Sequence, residues 1–323
     1  MDIVGEKILV IGGAGFIGSH VVELLLREDA REVVVLDNFY RGCRENLKEV
    51  ENDKRLKLVQ GDMLSEKNLY GHVEGCTAVF HLAAAWLLEC LEKPRYAVEN
   101  NIMGTFGVMD ACQKSGVKKL IFSSSASVYG DAVENPMDED HPYNNRTLYG
   151  ATKIAGEHLL RAYNEMFGLD YVGLRYMNVY GPRQDYRGAY TSVIMKILDR
   201  LDKKLPPIIY GDGSQSYDFV YVEDVARANV NALKADATDT FFNVGTGQET
   251  TLQDLAKVLI RLTGVDIPIQ FEPSGQTFVT RRIGATKLAE DQLRFRAQVN
   301  LEAGLKQLIK WRASDKEKLV GVA

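Results

Sequence analysis

Short apolar runs alternate along the first 180 or so positions with longer stretches in which apolar residues recur every three or four places. Lys7 to Ile11, Val33 to Leu36, Leu56 to Val59, Ala78 to His81, a run entering at Ile121 and Tyr171 to Arg175 have the length and composition of strands. Between them lie helical patterns through Val21, Leu24, Leu25 and Leu26, from Arg95 to about Ser115, and from Leu148 to Gly168 through Ile154, Leu159, Ala162 and Met166. Strands alternating with helices predict an α/β fold, a doubly wound parallel sheet.

Beyond Pro182 the alternation breaks down. Pro206-Pro207, Gly211-Asp212-Gly213 and Gly245-Thr246-Gly247 punctuate shorter elements, which reads as a smaller lobe interwoven with returns to the sheet. The expected division is a nucleotide domain over 1–177 with returns around 216–247, a substrate lobe over 178–215 and 248–313, and a frayed, charge-rich tail over 314–323. The helix from Arg95 is apolar on more than one face, with Val98, Ile102, Met103 and Phe106 but also Val108, Met109, Ala111 and Cys112. Covering a sheet needs one stripe, so the second predicts a homodimer through the helices near 95–115 and 149–168.

Three stretches carry candidate chemistry. The first strand runs into Gly12-Gly13-Ala14-Gly15-Phe16-Ile17-Gly18 and then a helix, the context a dinucleotide fingerprint requires. The glycines allow a tight turn, and the helix N-terminus faces a pyrophosphate. The next strand ends in Asp37-Asn38, an acid about 20 residues on that suits ribose hydroxyls and repels the 2′-phosphate of NADP. The expected cofactor is therefore NAD, on a Rossmann-like domain.

In the second stretch, Ile121 to Gly130, an apolar strand runs into Ser123-Ser124-Ser125, which places Ser125 at the carboxyl end where parallel sheets carry their sites. The third is Leu148-Tyr149-Gly150-Ala151-Thr152-Lys153. Tyr149 and Lys153 are i and i+4 on one helix face, and an ammonium beside a phenol favours the phenolate, so Tyr149 is a candidate general base. Roughly one accidental Tyr-x-x-x-Lys is expected in a chain of this composition, so the pair gains weight only from the other two stretches.

Composition narrows the field. The net charge of −5, with no sustained Lys/Arg block, gives no electrostatic footprint for nucleic acid. No run of about 18 apolar residues would span a membrane, and the acidic start lacks a signal-peptide pattern. Four cysteines without Cys-x-x-Cys spacing and five scattered histidines predict neither a disulfide framework nor a metal site, and a cytoplasmic home.

The chain resembles the extended short-chain dehydrogenase/reductases, in the group of nucleotide-sugar epimerases and dehydratases. The resemblance runs nearly end to end, through Gly12-x-x-Gly15-x-x-Gly18, Asp37-Asn38, Gly61-Asp62, His81-Leu82-Ala83-Ala84, Asn101 to Thr105, Phe122 to Gly130, Tyr149-x-x-x-Lys153, Arg175 to Arg183 and Asp218 to Val225. It implies a catalytic trio: Ser125 bonding the reacting sugar hydroxyl, Tyr149 taking its proton, and Lys153 holding the nicotinamide ribose and lowering the Tyr149 pKa. It also implies NAD contacts from Gly12, Gly15, Phe16, Ile17, Gly18, Asp37, Asn38, Asp62, Met63, Leu82, Ala83, Ala84, Asn101, Ser123 and Met177, besides Tyr149 and Lys153.

Dehydratases of the group place an Asp-Glu pair directly after the catalytic hydroxyl, and decarboxylases a Glu; this chain has Ala126-Ser127. The pattern therefore resembles the 4-epimerases, with a UDP-sugar as the expected substrate. A 4-keto reductase or dehydrogenase, a dehydratase, or a non-catalytic NAD-sensing protein are the alternatives. Two departures bear on the substrate. Where the family usually has Arg-Asp-Phe this chain reads Tyr217-Asp218-Phe219, and where an Arg-x-Gly-Asp stretch is common it reads Ser274-Gly275-Gln276-Thr277. Arg183, Arg281 or Arg282 are candidates to replace the missing cations, alongside Ser125, Asn178 and Tyr217 as substrate contacts. Trp86 reads as a ring packed under a loop.

Overall fold

The computed structural model describes residues 1–187, 192–273 and 279–320. Six strands form in sequence: β1 (Lys7–Ile11), β2 (Glu32–Asp37), β3 (Leu56–Gln60), β4 (Ala78–His81), β5 (Lys119–Ser125) and β6 (Tyr171–Tyr176). The chain then builds β7 (Asn178–Tyr180), β8 (Ile208–Tyr210), β9 (Ser216–Tyr217) and β10 (Phe219–Tyr221) in the lobe before β11 (Thr240–Val244) returns to pair with β6. The seven strands of the central sheet lie in the order β11-β6-β5-β4-β1-β2-β3, every pair parallel. This is the Rossmann-like arrangement, and its order reverses between β1 and β4, where Ile11 is in register with His81. Ligands of such sheets bind beyond the strand ends at that reversal.

Along β1 the side chains sort by pleat: Ile8 and Val10 join one buried cluster, Leu9 and Ile11 the other. Both faces are covered by helices, which is why the strands read as unbroken apolar runs. Helix α1 (Phe16–Arg27) comes after the glycine turn, α2 (Glu66–Val73) covers β3, and α3 (Leu87–Glu92) and α4 (Pro94–Val98) come after β4. The predicted helix from Arg95 continues from α4 through a π turn over Glu99–Met103 into α5 (Gly104–Lys114). Helix α6 (Leu148–Phe167) starts where Thr147 accepts the Gly150 N–H at 3.1 Å and stops at Gly168, which takes the left-handed φ of 68° that suits glycine.

The lobe is assembled from pieces remote in sequence. It holds α7 (Val193–Asp202), α9 (Leu252–Thr263) and α11 (Leu301–Val320), while α8 (Val222–Lys234) and α10 (Lys287–Leu293) pack on the nucleotide side. β7 pairs with β10; β12 (Thr250–Thr251) and β14 (Arg281–Arg282) flank β9; β13 (Gln270–Glu272) pairs with β8. A third apolar cluster, including Tyr180, Leu198, Tyr221, Leu255 and Leu305, holds α7, α9 and α11 together.

Two boundaries differ from the sequence reading. That reading puts residues 287–295 in the lobe, yet Ala289, Leu293 and Phe295 join the nucleotide-side core with α1 and α8. The tail is not frayed from 314: α11 runs to Val320, and Asp315 accepts the Tyr186 hydroxyl at 2.7 Å while Lys316 donates to Asp202 at 2.5 Å. These two charges meet partners 129 and 114 residues away, which composition alone does not reveal. Residues 321–323 lie outside the described residues.

Candidate active site

A cavity of about 430 Å³ opens at the strand-order reversal, between the carboxyl ends of β1, β2, β4 and β5 and the lobe. Of the predicted cofactor residues all but Asn101 line it. The glycine turn is held by close packing. A Cβ on Gly12 would come within 2.7 Å of the Ala83 nitrogen, and one on Gly18 within 2.2 Å of the Gly12 carbonyl. Gly12 also has φ 82°. No side chain caps α1, so its first-turn N–H groups face the cavity free for an anion.

Asp37 ends β2 with its carboxylate buried, one oxygen accepting the Ala14 N–H and the other the Phe39 N–H, both at 2.9 Å. Burial raises its pKa. Asn38 donates to Asp62 at 3.1 Å, and Asp62 also accepts the Leu64 N–H at 2.9 Å, so the two loops that border the adenosine end are tied together. A cradle that a methyl group would fill, a bare helix N-terminus and a strand-end carboxylate fit a dinucleotide.

Ser125 closes β5, and its hydroxyl accepts the Ser127 N–H at 3.1 Å. It faces the Tyr149 phenol, whose pKa it pulls down. Lys153 is buried, and its ammonium donates to the Ser123 carbonyl at 2.6 Å while lying 5.8 Å from the centre of the Tyr149 ring. The trio is thus brought together, but one expectation is corrected. Desolvation pushes the Tyr149 phenol up to about 12 rather than down. The cations that act on it are Arg282 and Arg41, because Lys153 is turned to the Ser123 carbonyl and is itself lowered to about 8 by burial.

Asn101 does not line the cavity. Its amide accepts the Ala85 N–H at 2.7 Å and donates to the Ala85 carbonyl at 2.9 Å and to Thr152 at 3.1 Å, tying the loop after β4 to α6. Its neighbour Asn100, carried by the same π turn, reaches the wall instead. Trp86 packs under the loop after β2, with the Arg41 guanidinium 4.5 Å over its ring, and it also lines the cavity.

Sequence reasoning also missed the support beneath the trio. Ser124 donates to Glu157 at 2.5 Å, and Glu157 is paired with Arg175 at 2.7 and 3.0 Å, both side chains fully buried. The signal was available, since Glu157 lies one further helical turn beyond Lys153, but an i+4 acid usually marks a solvated face.

The predicted substrate residues scatter. Arg183 lines the cavity but is ion-paired with Glu23. Arg281 is exposed and held bidentately by Glu249 at 2.6 and 2.8 Å. Asn178 sits on β7 with a buried amide nitrogen that has no partner, and the Tyr217 hydroxyl donates to the Val279 carbonyl at 3.2 Å. Arg282 donates to the Gly130 carbonyl at 3.3 Å. None of these last four lines the cavity. Ser274 to Thr277, the second departure, lies outside the described residues. Among the described residues no group of three metal-ligating side chains gathers, and no helix is long and apolar enough to cross a membrane.

Residues 8–245 match the family model described as the NAD dependent epimerase/dehydratase family. The chain belongs to that family. A protein of Methanocaldococcus jannaschii described as a putative UDP-glucose 4-epimerase is 36% identical over 310 residues, 94% of this chain and 97% of that one. The UDP-N-acetylglucosamine 4-epimerase of Methanobrevibacter ruminantium, solved with UDP-N-acetylmuramic acid, superposes with a TM-score of 0.91 at 33% identity, covering 97% of this chain and 99% of its own. A dTDP-glucose 4,6-dehydratase of Streptomyces venezuelae, solved with NAD, gives a TM-score of 0.90 at 29% identity over 96% and 98%. Membership makes this chain an enzyme of the NAD-dependent epimerase/dehydratase family, and the relatives span more than one reaction of the family.

Proposed function

We propose that the protein is an NAD-dependent nucleotide-sugar 4-epimerase with a UDP-sugar as substrate. The observation that carries the reading is the pair of residues directly after Ser125. Ala126 and Ser127 occupy the short turn after β5, both buried, so neither position directly after Ser125 carries the carboxyl that elimination or decarboxylation needs there. The trio itself holds only hydroxyls and an ammonium, which suits proton traffic confined to a sugar hydroxyl.

Bound NAD would supply the hydride acceptor and donor at sugar carbon 4. Gly12, Gly15, Phe16, Ile17, Gly18, Asp37, Asn38, Asp62 and Met63 hold its adenosine and pyrophosphate, and Leu82 to Ala84, Ser123, Met177 and Lys153 its nicotinamide end. Ser125 orients the 4-hydroxyl, and Tyr149 takes its proton and returns it. With the phenol held up near 12 by burial, positive charge brought to the site is what makes it a base at neutral pH.

The proposed assembly is a homodimer in the cytoplasm. Val98, Met103 and Phe106 on the α4–α5 helix and Met166 and Phe167 on α6 are exposed, and Phe106, Tyr163 and Phe167 pack ring to ring at 6.0 and 5.1 Å, joining the two helices into one apolar strip. Incubation with UDP-, dTDP- and GDP-hexoses without added cofactor should yield 4-epimers. Release of water or carbon dioxide, or stoichiometric consumption of NAD(H), would reject the epimerase reading.

A further inference from the structure

Two acids are withdrawn from water near the trio, and they are treated very differently. Glu157 is paired with Arg175 and accepts the Ser124 and Tyr143 hydroxyls. Glu89, on α3, is 5% exposed, and its Oε2 is buried with no hydrogen-bond partner. A desolvated carboxyl left without partners costs stability, and in a cavity wall such a group marks a place where a ligand supplies what the protein does not.

The cations around Glu89 are engaged elsewhere. Lys93 lies four residues on, the spacing of a helical ion pair, and its N–H donates to the Glu89 carbonyl at 2.8 Å. Its ammonium nevertheless donates to the Tyr40 hydroxyl at 2.9 Å. The Arg41 guanidinium pairs with Asp185 at 3.4 Å and lies over the Trp86 ring. Glu89 lines both the main cavity and an adjoining recess of about 350 Å³, whose wall carries three carboxyls, Glu89, Glu92 and Asp185, against the two cations Arg41 and Lys93. The balance at this end of the cavity is negative.

Packing supplies the second observation, because it ties Glu89 to the reacting end. The next residue, Cys90, joins Ala85 and Ala97 in a small buried cluster against which Tyr149 packs. Asn101 donates to the Ala85 carbonyl, to the Cys90 sulfur at 3.7 Å and to Thr152, in the turn of α6 between Tyr149 and Lys153. The short helix α3 is therefore anchored to the turn that carries the phenol. Glu89 shares the cavity wall with Ser125, Tyr149 and Lys153.

Resting on the nucleotide-sugar reading above, we infer that Glu89 is a specificity-determining residue: its carboxyl accepts hydrogen bonds from hydroxyl or amino groups of the sugar, and its charge turns away a sugar that carries a carboxylate. The substrate class is thereby narrowed to neutral or amino-bearing sugars. A uronate would set like charges together in a desolvated wall whose cations are already engaged, where repulsion is poorly screened.

The test uses the full-length protein with its NAD and measures binding of UDP, UDP-glucose and UDP-glucuronate to the wild type, Glu89→Gln and Glu89→Asp. The wild type should hold UDP-glucose at least about tenfold more tightly than UDP-glucuronate. Glu89→Gln keeps the shape without the charge, so it should narrow that ratio about tenfold, weakening UDP-glucose and strengthening UDP-glucuronate, and leave UDP within about twofold. Glu89→Asp keeps the charge and should keep the order of preference. Melting temperature without nucleotide sugar separates this role from a structural one: removing an unpartnered buried charge should raise it in Glu89→Gln. A destabilised or unfolded Glu89→Gln would mark a structural carboxyl and overturn the inference. So would a wild type without the preference, or a folded Glu89→Gln whose ratio stays within about twofold of the wild type. An equal loss for UDP, or a fall in NAD content with the ratio unchanged, would assign Glu89 to the nucleotide or the cofactor and overturn it as well. A wild type that binds none of the three would instead overturn the nucleotide-sugar reading, and the inference with it.

Discussion

On the nucleotide side of the cleft, the groups that shape the cavity come from strand ends and the turns directly after them: Gly12 after β1, Asp37 at the end of β2, Leu82 to Ala84 after β4, Ser125 at the end of β5. On the lobe side, the wall comes from β7 and the segment after Pro182, through Val179, Arg183, Gln184 and Asp185, while Tyr217 on β9 and Arg281 and Arg282 on β14 stand off it. The first side works largely by backbone shape. The second works by side-chain charge, and its pairings depend on which distant acid a given arginine meets. A site made of strand ends is therefore fixed by the sheet itself, whereas the lobe arginines Arg183 and Arg281 are set by the distant acids they pair with.

The largest effect expected from this division is at the trio, which belongs to the rigid side. Tyr149→Phe removes one oxygen whose protein partner is the Ser125 hydroxyl, so the fold and retained NAD should persist while turnover falls by roughly 10²- to 10⁴-fold. Steady-state epimerisation and NAD content after denaturation check it together. Near-native turnover would remove the general-base assignment.

Next in size is the ion pair beneath the trio. Glu157→Gln keeps the shape and leaves Arg175 charged and buried, and breaking a buried pair costs about 3–5 kcal/mol. Denaturant unfolding should show that loss, and turnover should fall as well because Ser124 and, through the strand, Ser125 lose their anchor. Stability within about 1 kcal/mol of the wild type would mean that the network's hydroxyls and carbonyls compensate Arg175 without the glutamate.

How far each side could be read in advance obeys the same division. The strands, the glycine turn, Asp37 and the Tyr149–Lys153 helix face were legible because each is a local pattern: a period, a spacing or a cap within about twenty residues. Asn101 was misplaced by one residue because the helix carrying it contains a π turn, which rotates the register and sends Asn100 to the wall. The order of pKa effects at Tyr149 was misjudged for a related reason: spacing shows that Lys153 shares a face with the phenol, but not that the Ser123 carbonyl captures its ammonium. The pairings Arg183–Glu23, Arg281–Glu249 and Arg312–Asp202 join residues 160, 32 and 110 apart, and no local pattern announces them.

A smaller effect should come from the glycine turn. Gly18→Ala puts a methyl group against the Gly12 carbonyl and Gly13, backbone atoms that cannot swing aside. Overpacking of this kind costs about 1–3 kcal/mol, and because the displaced atoms form the cradle, the cost should fall on NAD retention more than on melting temperature. Full NAD content in the variant would show that the turn can widen without cost, against the rigidity argued for this side.

The smallest effect tests the lobe side by its most ordinary member. Arg281 is bidentate with Glu249, which would suggest strength, but both side chains are substantially exposed, and exposed pairs contribute little. It also faces away from the trio, opposite to its neighbour Arg282. Arg281→Ala should therefore leave the melting temperature nearly unchanged, and added salt should shrink what difference there is. Its effect on nucleotide-sugar affinity should stay within about twofold. Binding isotherms on Arg281→Ala and the wild type measured side by side make the comparison. A roughly tenfold loss would mean that Glu249 releases its partner when substrate arrives, and that a pairing made at the surface of the lobe does not keep a cation away from the ligand.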